Sequence, residues 1–177
     1  MRSFAITLFI VFVGFPLARP AALLSPNVPG HLEFIQTKQS EQLVCRKRDS
    51  VSPADFEAIM KAYSDARQAG DIKKALDCFT EDAILSSPPA PAHQGRETLF
   101  QLFGGDRKDP VPVKIQWHHF VFDPKDQIGA VEFTIQYHLQ THSVAFIKLS
   151  HGLISNWRQY DVANGMEWYR FVGDNSF

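Results

Sequence analysis

The chain has 177 residues, and its 18 basic and 19 acidic side chains give a formal net charge of −1. A chain this close to neutrality offers no electrostatic case for binding nucleic acid. Its length suits one domain, which would bury roughly two-thirds of the surface of its unfolded chain.

The first 24 residues have the pattern of a signal sequence. Arg2 precedes a largely apolar run from Phe4 to Phe15, which Pro16 ends. A charged start and a short apolar run are typical of a signal peptide, and the run is too short to span a bilayer comfortably. No Ala-x-Ala triplet marks a cleavage site, so an uncleaved signal anchor stays open as the alternative. We expect residues 1–24 to direct the chain into the secretory pathway, as a secreted, lumenal or membrane-anchored protein.

Residues 25–52 have the composition of a linker, with Pro26, Pro29 and little apolar periodicity. The dibasic pair Lys47-Arg48 lies just before the domain that follows. In a secretory chain such a pair is a candidate processing site, which would make this segment a propeptide. A solvated run of charge is the other interpretation.

The sequence contains two cysteines, Cys45 and Cys78. In an oxidising compartment they could form a disulfide between the linker and the second predicted helix. The alternative is that Cys78, which neighbours an apolar position of that helix, is a buried free thiol. We favour the free thiol.

The first predicted helix carries an apolar stripe at the 3.6-residue period, and Gly70 supplies a left-handed stop. Asp71 is a natural N-cap for a second helix. The stripe of the first helix comprises Phe56, Ile59, Met60, Tyr63 and Ala66, and the second helix holds Ala75, Leu76 and Phe79.

A short strand over residues 83–85 ends before Pro88, and residues 95–97 open a third helix. The rest of the chain is almost purely β in pattern. Three helices followed by a run of strands predict an α+β fold in which the helices pack on one face of a strongly curved, mostly antiparallel sheet, a cone-shaped α+β barrel.

Alternation with period two assigns faces to the strands. Over residues 131–139 the apolar set should face the helices and any cavity that they enclose, and the polar set should face away. The apolar set is Val131, Phe133, Ile135, Tyr137 and Leu139.

The same rule applied to residues 114–122 turns Ile115, Trp117, His119 and Val121 inward and His118 outward. His119 would then lie in or near the cavity. The strand over residues 144–150 is apolar on both faces except at Lys148, as in a central strand or a dimer interface.

Four motifs in order resemble the SnoaL-like polyketide cyclase group of the nuclear transport factor two-like superfamily. The resemblance implies a SnoaL-like domain over residues 53–172, a small apolar ligand in an internal cavity and a homodimer formed through the sheet. The motifs are Ala69-Gly70-Asp71, Ala75-Leu76 with Phe79 and Asp82-Ala83, Gly95-Arg96-Glu97, and His151-Gly152-Leu153-Ile154 with Trp157-Arg158 and Tyr160-Asp161.

Two relatives of this fold have catalytic sets that the chain lacks. The resemblance places the helix tyrosine of ketosteroid isomerases on Tyr63, but their carboxylate base falls on Ser87. The Arg, Asp and Asp of limonene epoxide hydrolases fall on Ile135, Tyr137 and Gln159. Serine alone cannot act as the base of the isomerase. The three epoxide-hydrolase positions have lost their charges, so neither reaction is expected by those routes.

The residues left in cavity positions suit a site that orients a ligand by hydrogen bonds and moves one proton. We assign catalytic roles to Tyr63, His119 and Tyr137. Substrate-binding roles go to His93, Phe133, Ile135, Trp157, Gln159 and Trp117. No histidine pair on one element is backed by a carboxylate, so we expect no metal, and no cofactor is implied.

Two functions remain open at this stage. The first is a cofactor-free cyclase, isomerase or dehydratase acting on a polyketide- or terpenoid-like substrate in the secretory pathway. The second is a secreted module of the same fold that binds a ligand or a protein without catalysis. The loss of both relatives' catalytic sets favours the second, and the aromatic cavity with its tyrosines and histidine favours the first, which we prefer.

Overall fold

A computed structural model of the chain describes residues 45–107 and 113–175. The predicted signal sequence and all of the linker before Cys45 lie outside these residues. Within them, the elements in chain order are α1 (Pro53–Gln68), α2 (Ile72–Leu76), β1 (Phe79–Ser86), β2 (His93–Gln94), α3 (Arg96–Leu102), β3 (Lys114–Asp123), β4 (Ile128–Gln136), β5 (Gln140–Ser150), β6 (Leu153–Ala163) and α4 (Trp168–Val172).

The six strands form one curved, unclosed sheet in the order β2-β1-β6-β5-β4-β3. Neighbouring strands run antiparallel except β1 and β6, which are parallel. Helices α1 to α3 cover one face, which we call the inner face. The predicted α+β class with helices on one face of a mostly antiparallel sheet is confirmed. None of the helices described here is long and apolar enough to cross a membrane.

Local sequence explains where α1 begins. The Ser52 hydroxyl accepts a hydrogen bond from the Asp55 backbone N–H, and the Asp55 carboxylate accepts one from the Ser52 N–H. This capping box satisfies two backbone donors that a helix N-terminus leaves unpaired. Pro53 stands at the first helical position, where its missing N–H costs nothing.

The predicted stripe of α1 packs against the inner face. Phe56 is fully buried, stacks on Phe122 at a ring-centroid distance of 4.6 Å and meets Phe120 edge-on at 6.2 Å. One helix turn from its end, Ser64 accepts a hydrogen bond from the Trp117 indole at 3.1 Å. Because Phe120 and Phe122 come late in β3 and Trp117 comes early, α1 lies antiparallel to β3.

The second helix is shorter than the sequence pattern predicts. It ends at Leu76, and Phe79 begins β1 instead of closing the helix. Phe79 is fully buried. A buried apolar residue fits a helix pattern as well as a strand pattern, so the sequence around Phe79 does not separate the two. The short strand predicted over residues 83–85 is the second half of this longer β1.

Cys45 and Cys78 form a disulfide, so our preference for a free thiol at Cys78 is wrong. The bond begins a strap, residues 45–51, that runs along the edge of the domain. Within this strap, the Arg48 backbone N–H donates a hydrogen bond to the His151 carbonyl at 2.9 Å. The strap positions Cys45 beside Cys78, an approach that neither cysteine's local sequence reveals.

Candidate functional site

Cross-strand pairing defines which side chains share the inner face, because directly paired residues point the same way. One row across the sheet contains Trp117, Phe133, Ser143 and Asp161. The adjacent row, on the side where α1 begins, contains Gln159 and Ala145. Polar side chains therefore lie on the inner face at the end of the sheet where α1 ends, which we call the open end.

Aromatic rings fill the interior below these polar groups. The Tyr63 ring lies 5.3 Å from the Trp157 ring and 5.7 Å from the Phe79 ring. Phe133 meets Trp157 edge-on at 6.2 Å, and Phe103 closes the cluster on the helix side at 6.2 Å from Tyr63. At the open end, Asp161 is exposed and Gln159 is partly exposed.

Asp161 is the centre of a hydrogen-bonded group that we call the Asp161 cluster. Its Oδ1 accepts hydrogen bonds from the Ser143 hydroxyl and the Gln159 amide, both at 2.6 Å. Its Oδ2 accepts one from the Ser87 hydroxyl at 2.6 Å. The Gln159 carbonyl in turn accepts from the Trp157 indole at 3.0 Å. Four strand and loop positions thus orient one carboxylate.

The geometry leaves Asp161 one free acceptor site. Each carboxylate oxygen offers two lone pairs. Oδ1 uses both on Ser143 and Gln159, whereas Oδ2 has Ser87 as its single partner among the described residues. Asp161 is exposed at the open end, so an incoming ligand can present a donor or an acidic C–H to Oδ2. Among the described residues of β3 to β6, no other inner-face side chain is acidic.

Tyr63 offers the complementary hydrogen-bond donor. Its side chain is 5% exposed, and its hydroxyl has no hydrogen-bond partner among the described residues. Burial raises the pKa of the Tyr63 phenol, and the nearby Arg67 charge opposes that rise. A phenol with a raised pKa stays protonated at neutral pH and can donate to an oxyanion.

All six residues assigned to substrate binding lie on the inner face. His93 pairs with Leu85, which pairs with Trp157, so the three share this face. Trp117 and Phe133 are paired in one row, and Ile135 lies in the next row toward the open end. Gln159 belongs to the Asp161 cluster. Their roles in binding stay predictions.

His119 does not face the cavity, and the expected inward orientation is wrong. A bulge in β3 between Trp117 and His119 shifts the alternation by one residue. His118 and His119 therefore both point to the outer face, where His119 contacts the Glu132 carboxylate at 2.7 Å. The same shift turns Phe120 inward and leaves Val121, expected inside, 69% exposed.

Tyr137 and Leu139 also lie outside the interior. Strand β4 ends at Gln136, so the alternation stops before Tyr137. Tyr137 is 41% exposed in the turn to β5 and packs edge-on against His138 at 4.2 Å. Neither His119 nor Tyr137 is in place to act with Tyr63.

Asp161 and Ser143 are not among the site residues predicted from the sequence. Asp161 follows Trp157 and Gln159 at spacings of two, so strand alternation places all three on one face. That signal is present in the sequence, although Asp161 is absent from the residues that we assign to the site from the sequence. Ser87 and Ser143 carry no signal of their own, because only cross-strand register brings them to Asp161.

Comparison with known proteins agrees with this architecture. A family model described as a SnoaL-like domain matches residues 60–175. No individual curated protein matches the sequence.

Solved structures share the fold at low sequence identity. An NTF-2-like protein of unknown function from Burkholderia xenovorans LB400 is 18% identical, with a TM-score of 0.53 over 65% of this chain and 90% of that chain. An LEH-like epoxide hydrolase from M. tuberculosis is 16% identical, with a TM-score of 0.51 over 59% of this chain and 80% of that chain. The epoxide hydrolase/cyclase-like enzyme SalBIII, with a role in pyran ring formation in the polyether salinomycin, is 18% identical, with a TM-score of 0.53 over 60% and 89%.

Proposed function

The chain belongs to the SnoaL-like domain family, and from that premise we propose that it is a cofactor-free enzyme that moves a proton on a small, largely apolar substrate. The reaction class is isomerisation, cyclisation or dehydration. Isomerases, epoxide hydrolases and a cyclase-like enzyme share the fold, which makes a small-molecule enzyme the coarse expectation.

The observation that carries this proposal is the Asp161 cluster. A carboxylate fixed by three donors, with one acceptor site of Oδ2 open at the end of an aromatic interior, has the geometry of a general base. Holding the base in one orientation also lowers the entropy lost in reaching the transition state. Asp161 would remove a proton next to a carbonyl group of the substrate.

Tyr63 supports the proposal from the other side of the interior. Removal of a proton next to a carbonyl places negative charge on the carbonyl oxygen, and a positioned O–H donor stabilises that charge. Tyr63 is buried, protonated and without a described partner, and its ring lies 5.3 Å from Trp157, which donates to Gln159. Tyr63 therefore suits the role of oxyanion donor.

The test uses the full chain and a panel of small polyketides, terpenoids and steroids. Ligands are found by thermal shift, and hits are analysed for products and for deuterium uptake from D2O. Asp161→Asn should still bind, because an amide oxygen can accept from Ser143 and Gln159 while its nitrogen donates to Ser87. Turnover should fall roughly 100-fold or more, the typical contribution of a positioned base.

Asp126→Asn provides the matched control, because Asp126 is exposed in the turn between β3 and β4. It should leave turnover unchanged. Turnover that survives in Asp161→Asn would sink the proposal. Tyr63→Phe should reduce turnover as well, while binding of hits persists.

A non-catalytic binding module is the second candidate, and one observation favours it. The interior rings of Tyr63, Phe79 and Trp157 pack closely, as in an ordinary core. Tight binding of hits with no product and no deuterium uptake in the wild-type chain would establish this alternative.

We propose that the protein works in the secretory pathway. Support comes from the signal-like N-terminus and from the Cys45–Cys78 disulfide, because such bonds persist in oxidising compartments. Expression with a reporter, followed by assay of medium and cell fractions, tests this proposal. Retention of the chain in the cytosol would contradict it.

A further inference from the structure

One buried cation on α1 is incompletely satisfied by the residues that the structure describes. Arg67 is only 8% exposed, yet its Nε and Nη1 atoms have no hydrogen-bond partner within residues 45–107 and 113–175. No acidic side chain among the described residues forms an ion pair with it. Its guanidinium carbon lies 4.0 Å from the centre of the Phe103 ring, in a cation–π contact.

An unpaired buried charge is costly. Removal of a cation from water without hydrogen bonds destabilises the folded state, so buried arginines are almost always paired. The Phe103 contact recovers only part of that cost. A residue that destabilises the free protein in this way is typical of a ligand site, where the missing partner arrives with the ligand.

The position of Arg67 connects it to the candidate site. It lies one turn after Tyr63, at a spacing of four residues, so both side chains lie on the same face of α1. Because α1 is antiparallel to β3, with Ser64 already at Trp117, its last turn lies at the open end. Trp117 belongs to the row that includes Asp161, so the guanidinium and the Asp161 cluster occupy the same end of the inner face.

We propose that Arg67 binds the carboxylate of the substrate, which makes the substrate class a small apolar monocarboxylic acid. A guanidinium is planar, and its N–H groups match the geometry of a carboxylate. Arg67 would anchor the acid group while the apolar remainder extends over the aromatic interior toward Asp161. The carboxylate proposal rests on the site of the proposed function, but it concerns binding alone and does not require turnover.

The first experiment needs no ligand. Arg67→Met replaces a buried unpaired cation by an apolar side chain of similar length, and it should raise the Tm of the full chain. Arg107→Met is the matched control, because Arg107 is exposed beyond the end of α3, and the Tm of this variant should not change. A clear fall in Tm for Arg67→Met would show that Arg67 stabilises the fold, and it would overturn the proposal.

The second experiment measures binding by calorimetry with defined probes. The probes are phenyl- and cyclohexyl-substituted alkanoic acids with one to four methylenes, each paired with its primary amide. The wild-type chain should bind the best acid at least ~10-fold more tightly than its amide, as expected for one charge-assisted contact. Arg67→Lys should keep part of this preference, and Arg67→Met should abolish it.

The variants separate this proposal from the proposed function. Asp161→Asn should keep the preference for acids. If it does while no probe or panel compound is ever turned over, the proposed enzyme fails and the carboxylate site stands. Equal binding of acids and amides by the wild-type chain, an unchanged preference in Arg67→Met, or no binding of any acid would each overturn the carboxylate site.

Discussion

At the scale of single residues, Gly129 and Phe56 make the closest approach between helix and sheet. A Cβ atom on Gly129 would lie 2.3 Å from the Phe56 Cζ atom, which is far inside contact distance. Phe56 is fully buried and stacked on Phe122, so its ring has no room to retreat. The missing side chain at 129 is therefore what allows α1 to seat on β4.

We predict that Gly129→Ala lowers the free energy of unfolding by about 1–3 kcal/mol, the usual cost of overpacking a core. Urea unfolding measures this change. Gly165→Ala is the control, because no atom lies within 4 Å of a Cβ built there, and its stability should not change. An unchanged free energy of unfolding in Gly129→Ala would show that α1 can shift on the sheet, and it would contradict the prediction.

At the scale of elements, the strap over residues 45–51 is held at both ends. The disulfide fixes Cys45 to Cys78 across 33 residues of chain. At the other end, the Gln127 side chain accepts a hydrogen bond from the Val51 N–H and donates one to the Val51 carbonyl, both at 3.0 Å. Arg48 adds an ion pair with Asp55 at 2.7 Å, which joins the strap to the start of α1.

Removal of the disulfide should destabilise the domain. For a closed loop of this length, the lost constraint on the unfolded chain is worth roughly 3–4 kcal/mol. The double variant Cys45→Ala/Cys78→Ala should show this loss in urea unfolding, and addition of reductant to the wild-type chain should reproduce it. A reductant-insensitive wild type would contradict the bond.

Helix α4 was not predicted from the sequence, and it packs on the outer face through two histidines. His142 Nε2 donates to the Met166 carbonyl at 2.7 Å, so its Nδ1 accepts from the Thr134 hydroxyl at 2.9 Å. The Thr134 oxygen then accepts from His118 Nε2 at 2.8 Å. Trp168 of α4 stacks on the His118 ring at 4.0 Å. This chain of hydrogen bonds is complete with both rings neutral.

The stability of the domain should fall as the pH falls through the range just below 6.5. Burial lowers the pKa of His118 from its ordinary value of 6.5, the charges of His119 and His142 lower it further, and Glu132 opposes the shift. Below 6.5 the unfolded chain therefore binds more protons than the folded one, and folding weakens.

His118→Gln should lose less stability than the wild type between pH 7 and pH 5, because glutamine can still donate to Thr134 but does not titrate. Urea unfolding at both pH values measures the difference. His138→Gln is the control, because His138 is exposed in the turn between β4 and β5. The same pH dependence in His118→Gln and wild type would contradict the assignment.

At the scale of the whole molecule, the outer face not covered by α4 exposes large apolar side chains. Phe146 is 43% exposed, and the Arg158 guanidinium lies 5.6 Å from its ring. A groove of about 320 Å³ runs beside Phe146 and includes Ile128 and Lys148. Contiguous exposed apolar surface of this kind is typical of an interface. The homodimer through the sheet stays a prediction.

We predict that Phe146→Asp shifts the chain toward monomer, because a buried carboxylate would face the apolar surface of the partner. Light scattering coupled to size exclusion measures the mass at micromolar concentration. Leu102→Asp on the helix side is the control, since Leu102 is exposed to a similar degree on α3. A wild-type chain that is monomeric throughout would contradict the dimer.

Local patterns in the sequence determined the fold class, the stripe of α1 and the inward face of β4 from Val131 to Ile135. Each rests on interactions between residues close in the chain, such as helical spacing, capping by Ser52 and strand alternation. The site assignments of Tyr63, Trp157 and Gln159 came from the family resemblance instead. Tyr63 remains in the proposed site.

The tertiary structure alone decided the composition of the site. The bulge in β3 turns His119 to the outer face, and the end of β4 at Gln136 leaves Tyr137 in a turn. Tertiary packing brings Ser87 and Ser143 to Asp161. Bulges and register depend on pairing with distant strands, so no local pattern encodes them. The unpaired state of Arg67 is likewise visible only when its surroundings are known, because a lone arginine on a helix is otherwise an ordinary surface residue.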